Sequence, residues 1–134
     1  MEENSKRNGL KIVVVDDSDF SRSIIIKMLK AENFNVVGEA ASAASALTVI
    51  KDKKPHVVIT DIVMPEVSGI ELTERINQDF DEVFVIVVSS LSQEHVVLEA
   101  IVAGAADFIS KPINQQQLAD SLDKIMTQTK IDSI

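Results

Sequence analysis

Five short apolar runs, at Lys11–Val15, Asn35–Glu39, His56–Thr60, Val83–Val88 and Ala106–Ser110, recur along the chain with longer segments between them. Within them VVV, VVI and VFVIVV are continuous rather than alternating, so both faces of each strand must be covered. The intervening segments can supply that cover. Ile24, Ile25, Met28 and Leu29 form one helical stripe; Ala43, Ala46, Leu47 and Ile50 form a second; Leu118, Leu122, Ile125 and Met126 form a third. A βαβ rhythm repeated five times predicts an α/β fold: a doubly wound, five-stranded parallel sheet with helices on both faces.

With 134 residues, the chain has the length of one domain. Residues 10–134 are assigned to it, and the polar opening MEENSKRNG, residues 1–9, is expected to be a flexible tail. Punctuation agrees with the helices: Ser18 or Asp19 can cap the first, Asn114 the last, and Gly104 falls where a helix should end. A net charge of −8 opposes approach to a phosphate backbone or an anionic leaflet, so neither nucleic acid nor membrane is expected as a partner. The chain has no cysteine, which excludes a disulfide framework and thiolate metal sites and is compatible with a reducing compartment. Without an apolar run near the roughly 20 residues of a membrane span, the expectation is a soluble cytoplasmic protein.

Why the first strand, IVVV, runs straight into Asp16, Asp17 and then Asp19 needs a reason, because crowded carboxylates repel. In open α/β sheets ligands bind beyond the carboxyl ends of the strands. Asp16 and Asp17 end the first strand, Asp61 the third, Ser89 the fourth and Lys111 the fifth. Four strands thus bring three carboxylates, a hydroxyl and an ammonium to one edge. Oxygen ligands without His or Cys suit a hard cation such as Mg²⁺. The acid cluster is expected to be a metal seat that destabilises the metal-free fold and is relieved by binding.

DD after the first strand, D followed by MP and SG, a hydroxyl residue closing the fourth strand and KP closing the fifth occur together. In this constellation the chain resembles the receiver domains of two-component response regulators, and in SDFSRS, VVGEA and AIVAGAADFISKP it is most similar to the CheY-like chemotaxis group. The resemblance covers residues 10–128 and implies the flavodoxin-like strand order 2-1-3-4-5. It implies that Asp61 is the phosphoacceptor for a histidine kinase or a small acyl phosphate. Asp17, Asp61 and the Val63 backbone carbonyl would hold Mg²⁺, with Asp16 acting through water. Lys111 would pair with the incoming phosphoryl group, and the Lys111–Pro112 bond would be cis. Ser89 would move to meet the phosphoryl group, Phe108 would turn inward behind it, and Val97 and Ile101 with Phe108 would form the output surface. The implied partners are a sensor histidine kinase of the chemotaxis type, a target such as a flagellar motor switch, and a possible phosphatase. The expectation is a stand-alone regulator, not an enzyme beyond catalysing its own phosphorylation and slow dephosphorylation.

Two departures from the family pattern carry expectations of their own. Phe108 stands where chemotaxis members commonly have tyrosine, and a phenyl ring has no hydroxyl needing a partner, which should favour its inward state before phosphorylation. Val63 and Leu91, two residues after Asp61 and Ser89, replace side chains that guide the attacking water in fast regulators, so phosphate loss should be slow. Three readings stand beside these. The fold could be a phosphorylation-independent scaffold. Asp17-Ser18-Asp19 also resembles the opening of a haloacid-dehalogenase-type phosphohydrolase, although the usual Gly-Thr and room for a cap domain are missing. The segment from Val96 to Val102 could bury a homodimer interface. His56 and His95 are expected to be ordinary surface or packing residues, and no glycine-rich nucleotide loop is present.

Overall fold

The computed structural model describes residues 2–129. In chain order the elements are α1 (Glu2–Gly9), β1 (Lys11–Val15), α2 (Asp19–Ala31), β2 (Asn35–Ala40), α3 (Ala43–Lys53), β3 (Val57–Thr60), α4 (Gly69–Asp79), β4 (Phe84–Ser89), α5 (Glu94–Val102), β5 (Asp107–Ser110) and α6 (Gln115–Met126). The strands pair in parallel throughout and in the order β2-β1-β3-β4-β5, the flavodoxin-like arrangement expected from the resemblance. The chain reverses direction across the sheet between β1 and β3, so a crevice opens beyond their carboxyl ends.

Side-chain alternation explains the continuous apolar runs. Ile12, Val14, Ile59, Ile86 and Val88 face a core closed by Ile25 and Leu29 of α2 and Leu118 and Leu122 of α6. Their neighbours Val13, Val15, Val58, Val85 and Val87 face the other way, into a core closed by Ala46 and Ile50 of α3, Leu72 and Ile76 of α4 and Ala100 of α5. Along β1, β3 and β4 the apolar residues are therefore covered whichever side they point to. Ser18, Ser42, Ser68 and Asn114 each cap a helix by accepting a backbone N–H three residues on. At Gly104 the φ of +113° lets the Ala105 N–H reach back to the Ala100 carbonyl and close α5. In contrast, α5 has no side-chain cap at its start, and Ala100 is its one buried residue.

At the opening of the chain, within the stretch that the sequence reading assigns to a flexible tail, Glu2–Gly9 form α1. Arg7 ties this helix to the body: Nε and Nη2 donate to both Asp123 carboxylate oxygens at 3.0 and 2.7 Å. Nη1 donates to the Glu32 carboxylate and carbonyl at 2.9 and 3.1 Å, and the guanidinium lies 4.9 Å from the centroid of the Phe34 ring. The anchor is polar and its partners are distant in sequence, so a search for an apolar stripe passes over it. No helix among the described residues is long and apolar enough to cross a membrane.

Candidate phosphorylation site

Local chemistry fixes each acidic residue at the sheet edge. Asp16 follows the buried β1 directly and is itself only 1% exposed. One of its carboxylate oxygens accepts the Ser18 N–H at 2.9 Å, which turns the chain into α2. Its backbone carbonyl accepts from Arg22, whose guanidinium also reaches Glu39 on β2 and Asp19. Arg22 therefore ties the loop after β1 to the neighbouring strand. Asp61 follows β3, and one carboxylate oxygen accepts the Ile62 N–H at 2.8 Å.

The start of α4 is packed against the backbone at Asp61. A Cβ on Gly69 would lie 1.8 Å from the Asp61 carbonyl oxygen, and the Gly69 N–H donates to the Ile62 carbonyl at 2.8 Å. Only glycine permits this approach, which gives the SG of the sequence a physical reason.

Carboxylate oxygens of Asp16, Asp17 and Asp61 come within 4.8 Å of one another. Lys111 brings the compensating charge from the end of β5. Its ammonium lies 3.2 Å from Asp16 and 3.5 Å from Asp61 and donates to the Ser21 hydroxyl at 3.0 Å. Burial pushes the Asp61 carboxyl above its ordinary value, and the Asp16 charge acts in the same direction. The Lys111 ammonium and the Ile62 N–H pull it back only in part. A half-buried group of carboxylates short of positive charge, with oxygen donors only, fits a hard divalent cation such as Mg²⁺.

The other expected residues are distributed around this cluster. Ser89 is buried at the end of β4, where its hydroxyl accepts the Leu91 N–H at 3.0 Å. Val63 and Leu91 are exposed. Phe108 is half-buried and packs against the core on the α3, α4 and α5 side of the sheet. On α5, Val97 is half-buried while Ile101 is exposed; Leu98 and Val102, which the expected output surface omits, are exposed more fully than Ile101. The Lys111–Pro112 bond is cis. His56 accepts the Lys11 N–H through Nδ1 at the opposite end of the sheet, and His95 is exposed on α5. Ser21 and Arg22 were missed by sequence reasoning; their only signal is the position one turn into the helix that follows the paired acids.

Comparison with known proteins agrees with this architecture. Residues 12–123 match the family model of the response regulator receiver domain. The chain is 35% identical to the chemotaxis protein CheY of Thermotoga maritima over 117 residues, 87% of this chain and 98% of that protein. It is 36% identical to CheY of Bacillus subtilis over 116 residues, 87% of this chain and 97% of the other. Among solved structures it is similar to a chain of the CheX-CheY-BeF3-Mg complex of Borrelia burgdorferi, with a TM-score of 0.82, 27% identity, and coverage of 87% of this chain and 88% of that one. The strand order, the acidic edge and these likenesses together place the chain in the response regulator receiver domain family, in its CheY-like group.

Proposed function

We propose that this protein relays a signal by Mg²⁺-dependent phosphoryl transfer from a histidine kinase to Asp61, and that phosphorylation switches a partner-binding surface on α5 and β5. The observation that carries the proposal is the meeting of Asp16, Asp17 and Asp61 within 4.8 Å, with Lys111 3.5 Å from Asp61. Asp16, Asp17, Asp61 and the Val63 backbone carbonyl would hold the metal, which when bound supplies positive charge to the phosphoryl oxygens. The Asp61 carboxylate is the nucleophile. An O–P bond forms to it as the N–P bond of phosphohistidine breaks, and the imidazole nitrogen leaves with the bonding pair. Lys111 neutralises charge on the transferring group, which a loose transition state spreads over the equatorial oxygens.

Once attached, the phosphoryl group offers new acceptors at the end of β3. The Ser89 hydroxyl, now engaged with the Leu91 N–H, can turn to donate to it. Movement at Ser89 shifts the segment entering α5, and Phe108 packs on the same side of the sheet. Apolar side chains of α5, Ile101 with Leu98 and Val102, then present the surface that a partner reads. The complex of the Borrelia CheY with CheX supports a protein partner, and the CheY likeness supports chemotaxis as the pathway, with a chemotaxis-type kinase upstream and a motor-switch target downstream. Intact-mass measurement after incubation with acetyl phosphate and Mg²⁺ tests the reading. One phosphoryl group should be gained, and none in chelator or in Asp61→Asn. No gain under any of these conditions or with a cognate kinase would favour the scaffold.

A further inference from the structure

The ammonium of Lys111 has three N–H donors and, in this structure, three oxygen neighbours: Ser21 Oγ at 3.0 Å, Asp16 Oδ2 at 3.2 Å and Asp61 Oδ2 at 3.5 Å. Ser21 and Asp16 are the nearer pair, and both meet the hydrogen-bond geometry. Behind Lys111 lies a cavity of about 190 Å³ lined otherwise by apolar side chains, among them Ile24, Ile25, Met28 and Ile113, so Ser21 is the one polar neighbour on that wall. The Ser21 N–H donates to the capping Ser18 hydroxyl at 3.2 Å, which fixes the first turn of α2.

We propose that Ser21 is a positioning residue that holds the Lys111 ammonium back toward the first-strand acid and keeps it from closing onto the nucleophile. This rests on Asp61 being the phosphoacceptor. Without the Ser21 hydroxyl, one N–H of Lys111 faces an apolar wall, and the flexible lysine stem lets the charge move to the remaining oxygens. Asp61 is the neighbour with room to approach, since its separation of 3.5 Å can still shorten to a hydrogen bond. A closed Lys111–Asp61 pair occupies the oxygen that must attack phosphorus and lies off the path of the incoming phosphoryl oxygens. Ser21 thus keeps one N–H of Lys111 available to the phosphoryl group without tying up the nucleophile.

The test compares wild type, Ser21→Ala and Ser21→Thr. With acetyl phosphate and saturating Mg²⁺, Ser21→Ala should be phosphorylated about three- to tenfold more slowly, and Ser21→Thr, which keeps the hydroxyl, should return to within about twofold of wild type. Mg²⁺ affinity should change less than about twofold in both variants. A second readout needs neither metal nor donor: in the metal-free protein, the ¹³C resonance of the Asp61 carboxyl should move in Ser21→Ala as Lys111 closes onto it, and lie near its wild-type position in Ser21→Thr. Equal phosphorylation rates in wild type and Ser21→Ala, or an Asp61 carboxyl resonance unchanged by the loss of the hydroxyl, would overturn the proposal. If wild type itself takes up no phosphoryl group, the reading of Asp61 fails, and the carboxyl resonance still decides whether Ser21 holds Lys111 away from Asp61.

Discussion

Replacing Asp61 by asparagine should stabilise the metal-free protein, although it removes a partner of Lys111. At an effective dielectric constant of about 20, a charge 4.8 Å away, the limit for Asp16, costs an ionised Asp61 about 3.5 kcal/mol. The exposed Asp17, screened as in water, adds about 1 kcal/mol, and Lys111 at 3.5 Å returns about 4.7 kcal/mol. These nearly cancel. Desolvation then sets the sign, because the Asp61 side chain is only 13% exposed, and a net gain on the order of 1–2 kcal/mol is expected for Asp61→Asn. For a chain of this length that is a rise in Tm of about 3–8 °C.

The folded-state pKa of Asp61 is raised, so the penalty is present when the group is ionised and disappears as pH falls through that raised value toward the ordinary one. Urea unfolding in chelator at pH 7 and again near pH 4 should show the gap between variant and wild type narrowing on acidification. Mg²⁺ at about 100 times its Kd should stabilise wild type by about 2.7 kcal/mol and the variant by less. An Asp61→Asn protein less stable than wild type at pH 7 without metal, or a gap that widens in acid, would show that the Lys111 ion pair outweighs burial and refute the reasoning.

Further expectations concern the surroundings of the site. Val63→Asn combined with Leu91→Glu should speed phosphate loss about tenfold or more, measured by decay of the phosphorylated mass, because polar groups at these two exposed positions can hold an attacking water; an unchanged decay sinks the account of slow hydrolysis. Gly69→Ala should cost about 3 kcal/mol or more and depress phosphorylation, since the new Cβ meets Asp61 backbone rather than a movable side chain. Arg7→Ala should lower stability by about 1–2 kcal/mol in urea unfolding while leaving the phosphorylation rate within about twofold, because α1 is anchored away from the acidic edge.

Strands and acids were legible in the sequence for one reason: each is declared locally. A run such as VFVIVV states that both faces are covered, and a carboxylate directly after it states which end of the sheet carries charge. Asp16, Asp17, Asp61 and Lys111 could therefore be grouped without coordinates. Helix α1 could not, because Arg7 finds Asp123 116 positions away and the local sequence is polar throughout. Ser21 was hidden in the same way, since a serine in a first helical turn reads as a helix residue until the lysine 90 positions later is placed beside it. The apolar face of α5 was read in part: HVVLEAIVAG declares excess apolar surface, but which residues face outward depends on how α5 is rotated over Ala100.

That rotation has a mechanical consequence. Helices α2, α4 and α6 seat large side chains in the cores beneath them, and shifting any of these helices would open voids costing several kcal/mol. The sole fully covered contact of α5 is a methyl group, and no side chain clamps its first turn. A turn of α5 about its own axis would uncover only the half-buried Val96 and Val97 and the small Ala100, so it would leave a smaller hole than a shift of the other helices. Under the proposed phosphorylation of Asp61, movement at that edge would therefore reorient the apolar face of α5 while the two cores stay closed.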